Sequence, residues 1–367
     1  MARLPIESSQ GTTVVLDGRE FDHFGGCGYL GLAHHPRVKE ALTEGARCYG
    51  VSAGASRETT GNTRAHEALE ADLARTLGCQ AAILLPEGYT ANFAAAQSLA
   101  EDHAVALVDE RSHPSLFDAA RNAGLELVNI VHRDSDALRR ALAYCGSRRA
   151  VVMTDSVFPS RGELAPLAEW AELARAHSGT LLVDDCHGTG VIGASGRGAL
   201  EEGAIGGEQV LLTSTLSKAL GCYGGFVAGT RAQVERVQRH SNVYVGSTPI
   251  PPALAEAGRA ALEIAFGDGA CVAQLRANIA LLRAGLERLG LARAGAELPV
   301  FSFSLESAER MQALEQSLRA GGLLAPWIRY PGGPPAGNFR IVVTAAHSLA
   351  QIERLLDALG RHLPGPR

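Results

Sequence analysis

The stretch VLLTSTLSKALGCYGG, Val210 to Gly225, decides how this chain is read. An apolar run (Val210, Leu211, Leu212) stops at three hydroxyl residues (Thr213, Ser214, Thr215), followed by Lys218 and a glycine-rich turn. Such a run is a strand, and the hydroxyls and the lysine stand at its carboxyl end. There hydroxyls can bind a phosphate and an amine can form a Schiff base with a carbonyl, which suits a phosphate-bearing aldehyde. Alone, the stretch reads more simply as a strand end with a surface lysine. A second stretch, LLVDDCHGTG (Leu181 to Gly190), changes the balance, because another apolar strand ends in two acids and a histidine.

Working outward, seven runs share the character of these two: Ala81–Leu85, Ala104–Val108, Leu125–Val131, Ala150–Thr154, Thr180–Val183, Val210–Thr213 and Gly225–Ala228. Each is short, rich in Val, Ile, Leu and Ala, and not alternating, as expected of strands covered on both faces. Helical patterns such as Ala165 to His177 lie between most of them. The fold class expected is α/β, with a mostly parallel seven-stranded sheet between helices. Ahead of it, Thr12 to Leu32 reads as two short strands around the turn Asp17-Gly18, and Pro36 to Arg47 as a helix. From about Pro252 the pattern changes to a smaller α+β lobe, with helices over Ala253–Phe266 and Val272–Leu289, a strand at Val300–Ser304, a helix to Gly321 and a strand at Phe339–Thr344. Tyr330 to Gly337, YPGGPPAG, reads as an irregular loop. The division expected is an N-terminal segment 1–35, a large domain 36–251 and a small C-terminal domain 252–367.

A chain of 367 residues with 46% hydrophobic and 20% charged residues belongs with folded globular proteins. A net charge of −5, without a basic cluster interleaved with aromatics, argues against nucleic acid. The N-terminus has no signal pattern and no apolar run reaches the roughly 18 residues of a membrane span. Seven scattered cysteines with no CxxC pair favour reduced thiols and a cytoplasmic setting. Gly26, Gly28 and Gly31 satisfy GxGxxG, but the preceding run Arg19 to His23 is polar and the helix starts only at Pro36, so a dinucleotide site is not expected. Asp184, Asp185 and His187 have no fourth ligand at suitable spacing, so no metal is expected.

In open α/β sheets the ligand sits beyond the carboxyl ends of the strands. Asp184, directly after Leu181-Leu182-Val183, suits a buried carboxylate that keeps a pyridine nitrogen protonated. His187, three residues on, suits a hydrogen bond to a phenolic oxygen. Gly88 and Tyr89, between the strand ending at Leu85 and an Ala-rich helix Asn92–Leu99, offer backbone N–H groups to a phosphate. His113 follows another strand and suits stacking on a ring. Each signal has a plain structural alternative; their consistency carries the reading.

With these motifs in place, the chain resembles the α-oxoamine synthase family of fold-type-I pyridoxal-phosphate enzymes. The resemblance runs from Tyr29-Leu30-Gly31-Leu32 and His34-His35-Pro36, through Gly61-Asn62-Thr63 and Leu69-Glu70. It continues through Val183 to Gly190 with Gly196-Arg197-Gly198, and Thr215 to Lys218, to Ser247-Thr248 and Thr344-Ala345-Ala346-His347. It implies a cytoplasmic homodimeric acyltransferase that condenses an amino acid with an acyl thioester, usually with loss of carbon dioxide, on pyridoxal phosphate. It further implies Lys218 as the covalent anchor and base, Asp184 on the pyridine nitrogen, His187 on the phenolic oxygen and His113 on the ring face. Gly88, Tyr89 and Thr215 would hold the phosphate, with Ser247 and Thr248 supplied by a neighbouring subunit, and Arg340 would anchor the substrate carboxylate. The chain departs from the family pattern at Cys27-Gly28 (asparagine–aspartate), Pro159 (serine) and Gly246 (an aromatic), and its N-terminal segment is short. Cys27 therefore stands where a substrate-binding asparagine is expected. Cys27 and Pro159 keep open transamination, racemisation or decarboxylation without a thioester; a family-like chain can also serve as a non-catalytic partner subunit, which would have little reason to keep Lys218.

Overall fold

Runs of Val, Ile, Leu and Ala that repel water on both faces must be covered on both faces, and here they form one sheet. The computed structural model describes residues 5–160, 162–291, 297–329 and 334–362. Across the sheet the strands lie in the order Ala81–Leu85, Gly225–Gly229, Val210–Thr215, Thr180–Asp184, Ala150–Asp155, Val105–Asp109 and Glu126–Ile130. Gly225–Gly229 is antiparallel to both neighbours and every other pairing is parallel. All seven expected runs are strands, with ends shifted by a residue or two. The four central ones are buried at every position, whereas the edge strand Glu126–Ile130 is partly exposed.

Successive residues of each strand point to opposite faces, so the sheet divides its core in two. Ile83, Leu85, Val108, Met153, Leu182 and Val227 pack under the helices Gly88–Leu99 and Pro114–Asn122. Leu84, Leu107, Val152, Val183 and Phe226 face the other way, into the larger core shared with Arg64–Leu77 and Leu167–Ala176. The helix expected over Asn92–Leu99 begins at Gly88. Its first turn closes because the Glu87 N–H donates to Thr90 Oγ1 at 3.3 Å and the Thr90 hydroxyl donates to the Glu87 carbonyl at 3.0 Å. Gly88 and Tyr89 are thereby its first two residues.

Asp17 (φ 52°) and Gly18 (φ 66°) make the left-handed turn between Thr13–Leu16 and Arg19–His23. These strands belong to a four-stranded sheet whose last member, Leu323–Leu324, comes from the C-terminal part of the chain and runs parallel to Arg19–His23. Val300–Phe303, Asn338–Val342 and Trp327–Ile328 form a three-stranded antiparallel sheet, with the helices Ala270–Arg288 and Ala308–Ala320 both against Leu349–His362. The helix Pro252–Phe266 lies against Pro36–Tyr49 and Arg64–Leu77, where Gly45 lets two helix backbones approach: a Cβ there would be 2.8 Å from Ala253 Cα. Residues 330–333 of the expected Pro/Gly loop fall outside the described residues. Among the described residues no helix is long and apolar enough to cross a membrane.

Candidate active site

Parallel strands bring their carboxyl ends to one edge of the sheet, and the acids and hydroxyls that terminate them meet there. Asp184 and Asp155 end neighbouring strands at the same register, and Asp184 also pairs with Thr213 on its other side. Asp184 is buried; its Oδ2 accepts from Asn92 Nδ2 at 2.7 Å and its Oδ1 from the Cys186 N–H at 3.0 Å. Asp155 Oδ2 accepts the backbone N–H of His113 at 2.7 Å. Burial first, and the adjacent Asp184 second, push the Asp155 carboxyl well above the usual range.

His113 opens the helix Pro114–Asn122 and turns its ring back over the strand ends. Its Nδ1 lies 2.8 Å from Ser115 Oγ, and the edge of the Tyr89 ring meets it at 5.9 Å and 83°. Burial lowers its pKa; the charges of Asp184 and Lys218 act on it in opposite senses. Lys218 is half-buried after the strand Val210–Thr215; its carbonyl accepts the Gly221 N–H at 3.0 Å, and its amine has no hydrogen bond or ion pair among the described residues. Its positive charge acts on His113, Asp155, Cys186 and His187, all of them groups at or just beyond the carboxyl ends of the strands.

His187 sits above the turn after Asp184, 2.6 Å from the Tyr29 hydroxyl through Nδ1. Burial, then the positive charges of Lys218 and Arg340, hold its pKa well below the ordinary value, so it is neutral near pH 7. In the tautomer where Nδ1 accepts the Tyr29 O–H, the ring proton is on Nε2. Arg340, on the strand Asn338–Val342, reaches Cys27 Sγ at 3.4 Å through Nη2. The C-terminal part of the chain thus delivers a cation to the same place.

At the phosphate end, the amides of Gly88 and Tyr89 have no acceptor among the described residues, as first-turn N–H groups of a helix do not. Thr215 lies directly beneath: a Cβ on Gly88 would stand 3.0 Å from Thr215 Cβ and 3.1 Å from Cys186 Sγ. Gly225 carries the helix start on the next strand, since a Cβ there would be 2.2 Å from the Glu87 carbonyl carbon. The Thr215 hydroxyl donates to the Gly224 carbonyl at 2.8 Å and accepts the Ser217 N–H at 3.0 Å. The groups open to a ligand are therefore one amine, a buried carboxylate, a flat imidazole and a cradle of two N–H groups, which fit a pyridine ring bearing an aldehyde and a phosphate.

Six of the expected side chains therefore converge: Lys218, Asp184, His187, His113, Arg340 and Cys27, with Gly88, Tyr89 and Thr215 beside them. Ser247 and Thr248 do not join them. They come after the short helix Asn242–Gly246, Thr248 is exposed, and Ser247 Oγ is bonded to the Val243 carbonyl. Asp185, adjacent to Asp184, has a different task. It is fully buried and accepts from Ser156 Oγ (2.6 Å) and Thr189 Oγ1 (2.7 Å), and burial pushes its carboxyl up to about 7. Cβ atoms on Gly188 and Gly198 would come within 1.9 and 2.0 Å of its oxygens, so the glycines of HGTG and GRG serve to wrap this acid. A cleft of about 380 Å³ lined by Gln80, Arg197, Val210 and Thr230 lies at the opposite edge, by the amino ends of the strands, and includes none of the convergent residues.

The sequence alone assigns no role to Tyr29, Asn92, Ser115 or Asp155. Asp155 has the strand-end signal; Asn92 and Ser115 have none beyond a polar residue on an otherwise apolar helix face.

The aminotransferase class I and II family model matches residues 25–359. The chain is 40% identical to 8-amino-7-oxononanoate synthase of Thioalkalivibrio sulfidiphilus, covering 99% of this chain and 94% of that protein. It is 40% identical to the enzyme of the same name from Methylococcus capsulatus, over 98% and 93%. A lysine-to-alanine variant of serine palmitoyltransferase from S. paucimobilis, with a PLP–myriocin aldimine bound, superposes with a TM-score of 0.90 at 26% identity, covering 98% of this chain and 92% of that one. The chain has the fold of the fold-type-I PLP transferases and belongs to the aminotransferase class I and II family, within it to the α-oxoamine synthases.

Proposed function

We propose that this chain is a pyridoxal-phosphate-dependent acyltransferase that condenses an amino acid with an acyl thioester, with loss of carbon dioxide, to give an α-oxoamine. The observation that carries the reading is the meeting of Lys218, Asp184, His187 and His113 at one strand-end edge. Pyridoxal phosphate, when bound, supplies an electron sink for bonds broken at the amino acid's α-carbon. Lys218 would hold the aldehyde and move the proton at the substrate's α-carbon. Asp184 would keep the ring nitrogen protonated, which a buried carboxylate at hydrogen-bond range does well. His187, oriented by Tyr29, would donate from Nε2 to the phenolic oxygen, and His113 would cover the ring face. Gly88 and Tyr89 N–H groups would hold the phosphate, joined by the Thr215 hydroxyl once it turns from the Gly224 carbonyl to which it now donates. Arg340 would pair with the substrate carboxylate beside Cys27, excluding water as it does so.

The relatives' names describe such joined skeletons. 8-Amino-7-oxononanoate carries its amino group next to a ketone, on a carbon that also bears a methyl group, the side chain of alanine. Serine palmitoyltransferase names serine and a palmitoyl group. Alanine and serine are therefore the first amino acids to test, each with thioesters of coenzyme A and of an acyl carrier protein. The reading further takes the chain as a cytoplasmic homodimer in which Ser247 and Thr248 complete the partner's phosphate site, and keeps the division 1–35, 36–251 and 252–367.

Purified protein with pyridoxal phosphate should release free thiol and carbon dioxide only when the right amino acid and thioester are both present. Turnover of an amino acid without any thioester would replace this reading with transamination, racemisation or simple decarboxylation.

A further inference from the structure

Asn92 is fully buried in the helix Gly88–Leu99, an environment in which an amide is costly unless every polar atom is bonded. Its bonding is complete. Asn92 Nδ2 donates to Asp184 Oδ2 at 2.7 Å and to Ser115 Oγ at 2.9 Å, and its Oδ1 accepts the Thr213 hydroxyl at 2.5 Å. Carboxylate oxygens accept, so the orientation of the amide is forced, and both its hydrogens are used. Ser115 Oγ, already accepting from Asn92, has its own proton left for His113 Nδ1 at 2.8 Å, and the Ser115 backbone N–H points at the same nitrogen at 3.3 Å. Two donors on Nδ1 leave the His113 proton on Nε2.

We propose that Asn92 is a positioning residue that fixes the carboxylate of Asp184 and, through Ser115, the Nε2–H tautomer of His113. Thr213 anchors it from the strand between Asp184 and the lysine-bearing turn. The consequence is chemical. A neutral imidazole of one tautomer faces the ring site, where an imidazolium would repel a protonated pyridine, and the carboxylate that keeps that pyridine protonated cannot rotate away. The Asp155 bond to the His113 backbone holds the same residue from its other side. The inference deepens the proposed function and rests on the ring site assigned there; the tautomer itself is a property of the protein alone.

The test uses ¹⁵N-histidine-labelled full-length protein without and with pyridoxal phosphate, taking as the His113 signals those lost in His113→Gln. Wild type should show a single Nε2–H tautomer without cofactor. Ser115→Ala should convert it to a mixture while leaving the pH dependence of the bound cofactor's visible absorbance unchanged. Asn92→Ala should disturb both and lower kcat about 10-fold or more with a smaller change in KM. Should Asn92→Ala fail to fold, Asn92→Asp, of nearly the same shape, replaces it and should disturb both readouts. A His113 tautomer and absorbance profile unchanged in a folded Asn92 variant, even one with a lower melting temperature, would overturn the inference. Absence of any bound-cofactor absorbance in wild type would instead overturn the functional reading, leaving the tautomer measurement to decide this one.

Discussion

Lys39 and Lys218 are the only two lysines of the chain, and they stand in opposite settings. Lys39 is exposed on the helix Pro36–Tyr49, while Lys218 is half-buried and its charge acts on Asp155, His113 and His187. Removing a positioned base typically costs about 10²- to 10⁴-fold, so Lys218→Ala should lower turnover at least that far while Lys39→Ala leaves it unchanged in a steady-state assay. A second residue-scale prediction concerns acid stability. His347 is buried against Phe24, with ring centroids 4.4 Å apart, and burial lowers its pKa from the ordinary 6.5 to about 4. Between those values the unfolded chain takes up a proton that the folded one refuses, so stability falls as pH falls from 6.5 towards 4. The loss approaches the order of 3 kcal/mol for this group. Asp185, held up at about 7, acts oppositely: its contribution is present at low pH and is lost as pH rises towards 7. Comparing urea midpoints of wild type and His347→Gln across pH 4 to 7 isolates the histidine; the variant should show the shallower acid slope. Lys218, Asp184 and Thr215 are legible in the sequence because the strand-end rule points at them. Asn92 is not, since the face a helix buries is settled by packing and not by its own pattern.

Among the elements, the helix Gly88–Leu99 depends on a neighbour far away in sequence. Gly225 lies under its first turn so closely that a methyl group there would enter the Glu87 carbonyl. Gly225→Ala should cost about 1–3 kcal/mol through forced displacement and weaken cofactor binding by tilting the Gly88 and Tyr89 amides. Gly206→Ala, with nothing within 4 Å of the added carbon, should stay within about 0.5 kcal/mol. Chemical denaturation and a cofactor titration on both variants measure the contrast. The same dependence explains why sequence alone starts this helix at Asn92 and not at Gly88: glycine is a poor helix former, and only the tertiary contact makes it necessary. The seven sheet strands are legible because their continuous apolar runs mark burial on both faces. Leu323–Leu324 and Trp327–Ile328 are not, because two residues carry no periodicity.

For the whole molecule, the exposed position of Thr248 and the absence of Ser247 and Thr248 from the convergent set suit residues that act across an interface. The protein should elute at twice 38.4 kDa in size exclusion with light scattering. Replacing both residues with alanine should weaken cofactor binding about 10-fold or more, the loss expected for hydrogen bonds to a charged group. A monomer that binds the cofactor fully would contradict the interface. The central claim is that Lys218 is the covalent anchor for pyridoxal phosphate, and borohydride reduction followed by peptide mapping tests it most directly. The account predicts one pyridoxyl group on the peptide containing Lys218 and none on that containing Lys39. Modification at Lys39, or no stable adduct on reduction, would contradict it.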